Sequence, residues 1–169
     1  FFTGYQALND PALGSLHRAV TGRPLPTKRG MKTPDMWDAA LAGRLKGLWI
    51  IGYDVAQTDP NLTKVHEALR RLEFLVVQDI FLTETARHAH VVLPAACSFE
   101  KEGTFSNTER RVQRVRKAVS PPGEARDDLS IIMELSRSLG YPMDHRSPEQ
   151  VLEEFGKVWP ALAGITYDR

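Results

Sequence analysis

Residues 100–113, EKEGTFSNTERRVQ, gather Lys101, Asn107, Arg110, Arg111 and Gln113 into one short run. These side chains are hydrogen-bond donors suited to phosphate or carboxylate. Arginine adds a planar fork that matches either group with two parallel bonds. The run follows VVLP at residues 91–94, which reads as a buried strand ended by proline. A packed element is therefore expected to deliver the five donors to one surface as an anion-binding set. The competing reading is a solvated charged turn, which would not need two adjacent arginines, an asparagine and a glutamine straight after a strand and a glycine.

The elements that must carry such a set can be read from the apolar pattern. Residues 1–33 are rich in Gly and Pro and read as a lead-in loop, with one short helix near residues 11–20. Residues 34–45 suit a helix, with Thr33 as N-cap, Pro34 at the first helical position and Gly43 near the end. Residues 48–51 (LWII) and 74–77 (FLVV) are short all-apolar strands. Between them, Leu62, Val65, Leu69 and Leu72 fall on one face of a helix over residues 61–72, capped by Asp59 or Asn61. Strand, helix, strand with continuous apolar strands is the pattern of a parallel α/β unit. Residues 83–88 form a short helix or turn and residues 91–93 a third strand. After Gln113 the character changes. Residues 115–119 read as a further strand, SPPG at 120–123 as a breaker, and residues 127–139 as a helix with Leu129, Ile132, Met133 and Leu139 inward. Ser147 caps a last helix that begins at Pro148 and runs to about Trp159. The expected fold class is α/β: a Rossmann-like parallel sheet with flanking helices in residues 1–113, followed by a mainly helical segment in residues 114–169.

In an open parallel sheet, ligands sit beyond the carboxyl ends of the strands. The first such end carries Gly52, Tyr53 and Asp54, the second Gln78 and Asp79, and the third Pro94, leading on to Lys101. An acidic residue there can accept from ribose hydroxyls or a guanine edge, and a nearby cation can offset a pyrophosphate. Together the three ends suggest a nucleotide-containing ligand, although Gly52 does not open a G-x-G-x-x-G run. Taken alone, Asp79 reads equally as a cap or loop residue and Asp54 as a turn former. His88 and His90 are two apart, on opposite sides of an extended chain, and are not read as a metal site. His17, His66 and His145 read as surface or partly buried residues.

Composition sets the outer bounds. The chain has 169 residues, with 42% hydrophobic and 25% charged, as in ordinary globular domains. A net charge of +1 gives no global field to draw nucleic acid or an acidic membrane. No apolar run approaches the roughly 20 residues a membrane helix needs. No signal peptide is visible, so a cytoplasmic location is the expectation. The single cysteine, Cys97, excludes an internal disulfide and a cysteine-only metal cluster, and its small apolar neighbours make it a packing residue. The chain begins Phe1-Phe2 and not Met, so it is expected to be a piece of a longer polypeptide or a processed or trimmed chain.

FLVVQDIFLTETA at 74–86, VVLP at 91–94, EKEGTFSNTERRVQ at 100–113 and PGEARDD at 122–128 resemble the molybdopterin oxidoreductase family. IGYDVAQTDP at 51–60 and GITY at 164–167 are similar, within it, to formate dehydrogenase catalytic (alpha) subunits. The resemblance runs along nearly the whole chain.

It implies a large enzyme with a bis(molybdopterin guanine dinucleotide) cofactor holding molybdenum or tungsten, of which this chain is an internal segment. Residues 1–113 would be the later half of one cofactor-binding domain and residues 114–169 part of a neighbouring domain. The family's guanine-dinucleotide contacts fall on Asp54, Gln78, Asp79, Lys101 and Asp128. Its substrate-orienting arginine falls on Arg110, with Gln113 lining the same pocket. The implied reaction is oxidation of formate to CO2 by hydride transfer. The enzymatic alternative is a nitrate reductase type. The structural alternative is a cofactor-free relative such as the large peripheral subunit of respiratory complex I, against which Asp54, Asp79, Lys101 and Arg110 argue by being present. The implied partners are formate, the rest of the catalytic subunit and electron-transfer subunits. The chain departs from the family at Ala89-His90, where Ala-Asp is usual before VVLP. It carries no cysteine cluster for the [4Fe–4S] centre expected in the full subunit, and no metal ligand. The isolated segment is therefore expected to be inactive and to self-associate through unpaired sheet edges.

Overall fold

A computed structural model describes residues 10–24, 26 and 28–168. The first nine positions of the expected lead-in loop lie outside the described residues. The chain divides into two compact units, each built from separated stretches. One holds Met31–Glu100 and Val119–Asp128; the other holds the residues up to Gly30, Lys101–Ala118 and those from Leu129 onward.

The unit built on Met31–Glu100 is the α/β part. Its strands are β1 (Gly47–Ile51), β2 (Phe74–Asp79) and β3 (Val91–Pro94), parallel and in the order β1-β2-β3. Leu48 pairs in register with Leu75, Ile50 with Val77, and Val77 with Val92. Helix α2 (Thr33–Leu41) precedes β1, with Pro34 in its first turn. A short turn of helix, α3 (Val55–Thr58), and then α4 (Leu62–Arg71) carry the chain from β1 to β2. Asn61 starts α4 at φ +60°, and its side-chain oxygen accepts from the Lys64 N–H at 3.3 Å, meeting one of the helix's unpaired donors. Trp37, Ala40, Ile50, Val65, Leu69, Leu75 and Val77 form the core between the helices and the sheet. The amphipathic face read for α4 holds at Val65, Leu69 and Leu72, whereas Leu62, at the helix start, is 42% exposed.

The sheet has one well-covered face. Leu75 and Val77 are fully buried, while Phe74, on the alternate face, is 52% exposed. Strand β3 is not the buried strand its apolar run suggested. It is an edge strand, and Val91 and Val92 are 40% and 39% exposed. The short helix or turn read over residues 83–88 is a 3-10 turn, Ala86–His88.

The other unit is an antiparallel hairpin with helices. Strands β4 (Gly103–Ser106) and β5 (Val112–Val115) pair with Phe105 opposite Gln113 and Ser106 opposite Val112. The donor run is thus a hairpin with its tip at residues 107–111. Residues 116–119, expected to be strand, are irregular because pairing with β4 ends at Val115. Gln113 lies inside β5. Helices α1 (Pro11–Thr21) and α6 (Pro148–Val158) pack together. Asp10 caps α1 by accepting from the Ala12 and Leu13 amides, and Ser147 caps α6 through Gln150. Helix α5 (Asp128–Ser138) begins in the first-described unit and buries Ile131 and Met133 in this one. His17 on α1 is only 4% exposed, more buried than its sequence context suggested.

Candidate functional site

Beyond the carboxyl end of β1, Gly52 turns the chain at φ +60° and donates its N–H to the carbonyl of Gln78 at 2.8 Å. A residue with a Cβ resists that left-handed φ, so glycine suits this turn. Asp54 follows. Its Oδ1 accepts from both the N–H and the hydroxyl of Thr85, at 2.9 and 2.6 Å. Thr85 is fully buried, and its Oγ1 accepts from the Ala56 N–H at 3.0 Å. Asp54 therefore ties the loop after β1 to the loop after β2. Nearby, the buried carboxylate of Asp59 accepts from the Trp37 indole and the Tyr53 hydroxyl, both at 2.8 Å. Neither Thr85 nor Asp59 stood out as a site-building residue in the sequence. Thr85 meets Asp54 across 31 residues and Asp59 meets Trp37 across 22, contacts with no local signature.

At the end of β2, Gln78 is fully buried. Its Nε2 donates to Oδ1 of Asp128 at 2.6 Å, and its Oε1 has no hydrogen-bond partner among the described residues. A buried, unpaired amide oxygen is costly, so a partner for it, a water or a ligand atom, is expected. Asp128 reaches Gln78 because residues 119–128 run beside the extension of β3. Val119 donates to Phe99 O, Arg126 N–H to Pro94 O, and Ala96 N–H to Arg126 O. Asp79 folds its Oδ1 back onto the Ile80 and Phe81 amides at 2.7 and 3.4 Å. The loop reading of Asp79 is thus realised, with the carboxylate held at the strand end.

Asp54, Gln78, Asp79 and Asp128 all belong to this one unit, and Lys101, Arg110 and Gln113 to the other. Within the hairpin, the donors of residues 101–113 do not form one uniform anion set. Asn107 spends its side chain on the turn: its Oδ1 accepts from the Arg111 N–H at 3.0 Å. Arg111 Nε sits 3.5 Å from Glu109 Oε2. Arg110 is exposed, has φ +63° and makes no ion pair among the described residues. Lys101 is half-buried and Gln113 exposed.

The histidines pair elsewhere. His66 Nδ1 and His88 Nε2 lie 2.9 Å apart, and His90 Nδ1 accepts from the Leu75 N–H at 2.9 Å. Burial, then the charges of His66 and Arg70, lower the His88 pKa from its ordinary value, with Glu84 opposing. Among the described residues no group of three or more His, Cys, Asp or Glu could hold a metal ion. Cys97 is half-buried and a free thiol, and its N–H donates to Glu100 at 2.9 Å. No helix among the described residues is long and apolar enough to cross a membrane.

The carboxyl end of β2 thus brings together a buried amide oxygen, on Gln78, and the carboxylates of Asp79 and Asp128. The family model for molybdopterin oxidoreductase matches residues 4–138. The chain is 47% identical over 170 residues to the F420-dependent formate dehydrogenase subunit alpha of Methanocaldococcus jannaschii, covering 99% of this chain and 25% of that protein. It is 43% identical to a probable oxidoreductase of Bacillus subtilis, covering 98% of this chain and 17% of the relative. A putative formate dehydrogenase of Staphylococcus aureus is 37% identical, with 99% of this chain and 17% of that protein covered. Among solved structures, acetylene hydratase from Pelobacter acetylenicus superposes with a TM-score of 0.67 at 21% identity, over 99% of this chain and 24% of that one. That last likeness concerns the fold alone. The chain belongs to the molybdopterin oxidoreductase family, and it spans a quarter or less of the length of these relatives.

Proposed function

We propose that this chain is a segment of the catalytic subunit of a formate dehydrogenase, and that it holds one guanine dinucleotide end of a bis(molybdopterin guanine dinucleotide) cofactor with molybdenum or tungsten. The observation that carries this reading is Gln78, fully buried at a strand end, with one amide atom bound to Asp128 and the other without a partner. A guanine edge offers adjacent N–H donors, which suit an unpaired amide oxygen and neighbouring carboxylates. Gln78, Asp79 and Asp128 would hold the base, Asp54 would fix the adjoining loop, and Lys101 would offset phosphate charge.

When bound, the cofactor supplies the centre that accepts the two electrons of the oxidation. The chain's own part in the chemistry is Arg110, which grips the formate carboxylate through charge-assisted hydrogen bonds. The C–H bond is thereby oriented for loss of hydrogen as hydride, leaving CO2. Gln113 lines the same pocket. Residues 1–113 would be the later half of a cofactor domain and residues 114–169 part of its neighbour, a division along the chain that the two compact units cut across. The [4Fe–4S] centre and the electron-transfer partners lie in other parts of a cytoplasmic enzyme, so the isolated segment is inactive. Its exposed sheet edge and Phe74 favour self-association.

The test is formate-dependent reduction of a viologen dye by the full-length, cofactor-loaded subunit. Formate turnover that Arg110→Ala nearly abolishes is expected. Turnover of nitrate in place of formate would overturn the substrate assignment. The names of the relatives from Methanocaldococcus jannaschii and Staphylococcus aureus support formate over nitrate.

A further inference from the structure

We propose that Asn107 is the positioning residue for Arg110, fixing the turn from which that arginine reaches substrate. The inference rests on the formate-orienting reading of Arg110. The hairpin tip is closed by hydrogen bonds that all end on Asn107. Its N–H donates to the Arg111 carbonyl at 3.1 Å, its carbonyl accepts from the Arg110 N–H at 3.0 Å, and its Oδ1 accepts from the Arg111 N–H at 3.0 Å. Its Nδ2 also reaches Glu109 Oε2 at 3.5 Å, and Glu109 lies 3.5 Å from Arg111 Nε.

The consequence falls on Arg110. It sits at φ +63°, a region a bulky L-residue seldom enters and leaves unless neighbouring bonds hold it there. The Asn107 carbonyl grips Arg110 on one side, and the Asn107 side chain grips the next residue on the other. The same turn leaves Glu109 beside Arg111, so one arginine of the pair is engaged and Arg110 keeps its guanidinium for an incoming carboxylate. Without the Asn107 side chain, Arg110 relaxes toward negative φ, and its ordering must then be supplied at substrate binding. That cost appears chiefly in KM, since the arginine contacts the carboxylate in both the ground and the transition state.

The test uses the full cofactor-loaded enzyme with Asn107→Ala, Asn107→Asp and Arg110→Ala, measuring kcat, KM for formate and hydrogen exchange of the hairpin in each. Asn107→Ala is expected to raise KM on the order of threefold to tenfold, the loss for one side chain left to order itself on binding. kcat should change much less, and exchange at residues 107–111 should accelerate. Asn107→Asp keeps Oδ1 as an acceptor and should restore slow exchange and move KM back toward the wild-type value. Faster exchange in Asn107→Ala with an unchanged KM would overturn the proposal, leaving Asn107 a purely structural residue. Unchanged exchange and unchanged KM would overturn it as well. An unaltered KM and kcat in Arg110→Ala would instead remove the formate-orienting reading itself.

Discussion

Gln78 and Asp128 stand 50 residues apart in the chain and meet at 2.6 Å, amide nitrogen to carboxylate. The contact joins the carboxyl end of the central strand to the first residue of α5. It also fixes which way the Gln78 amide faces. With Nε2 committed to Asp128, Oε1 is the atom left without a partner among the described residues.

Removing the carboxylate should be costly even without ligand. Asp128→Ala strips the partner from a fully buried amide group, a loss of about 1–3 kcal/mol. Urea unfolding should show a lower midpoint with an unchanged slope. An unaltered midpoint would mean that the pair adds nothing to the fold.

The Asp54–Thr85 tie can be tested by shape-preserving replacement. Thr85→Val keeps the branch, deletes the hydroxyl donated to Asp54 and leaves the buried Ala56 N–H without its acceptor. A destabilisation of about 2–3 kcal/mol is expected, read from the same unfolding curves. Thr85→Ser, which keeps the hydroxyl, should lose much less. Equal losses in the two variants would point to packing of the methyl group instead.

The His66–His88 contact gives the fold a pH dependence of definite sign. Burial, then the charges of His66 and Arg70, lower the His88 pKa below its ordinary 6.5, with Glu84 opposing. The folded chain then takes up this proton less readily than the unfolded chain. Stability from this source is complete above pH 6.5 and is lost as pH falls from 6.5 through the folded-state value. Unfolding midpoints measured from neutral to mildly acid pH should fall more steeply for the wild type than for His88→Gln. Parallel profiles would assign the acid sensitivity to other groups.

Much of the fold is legible in local pattern. LWII and FLVV mark β1 and β2, the spacing of Val65, Leu69 and Leu72 marks α4, and Asn61 and Ser147 announce their helices. Local pattern fails where pairing rather than burial defines the element. Strand β4 (GTFS) and strand β5 (VQRV) are short and largely exposed, so neither carries a strong apolar alternation. The hairpin instead reads as a charged run, and Val115, its last paired residue, reads as the start of a strand. The site divides in the same way. Asp54, Gln78, Asp79 and Asp128 can be named from strand ends and family motif. Thr85, which holds Asp54, and the segment that brings Asp128 to Gln78 depend on contacts across 31 and 50 residues. Asn107 reads in the sequence as a surface donor, yet its Oδ1 serves the turn.

The most direct test of the central claim is the guanine nucleotide content of the full-length catalytic subunit. Acid hydrolysis of the purified, loaded protein releases GMP from a guanine dinucleotide cofactor, and the amount can be set against molybdenum or tungsten in the same sample. Bound metal with GMP is expected in the wild type. Both should fall sharply in Gln78→Ala and Asp79→Ala, and both should stay at the wild-type level in Arg110→Ala. Metal bound without guanine nucleotide, or full GMP content in the Gln78 and Asp79 variants, would contradict the assignment of this strand end to the dinucleotide.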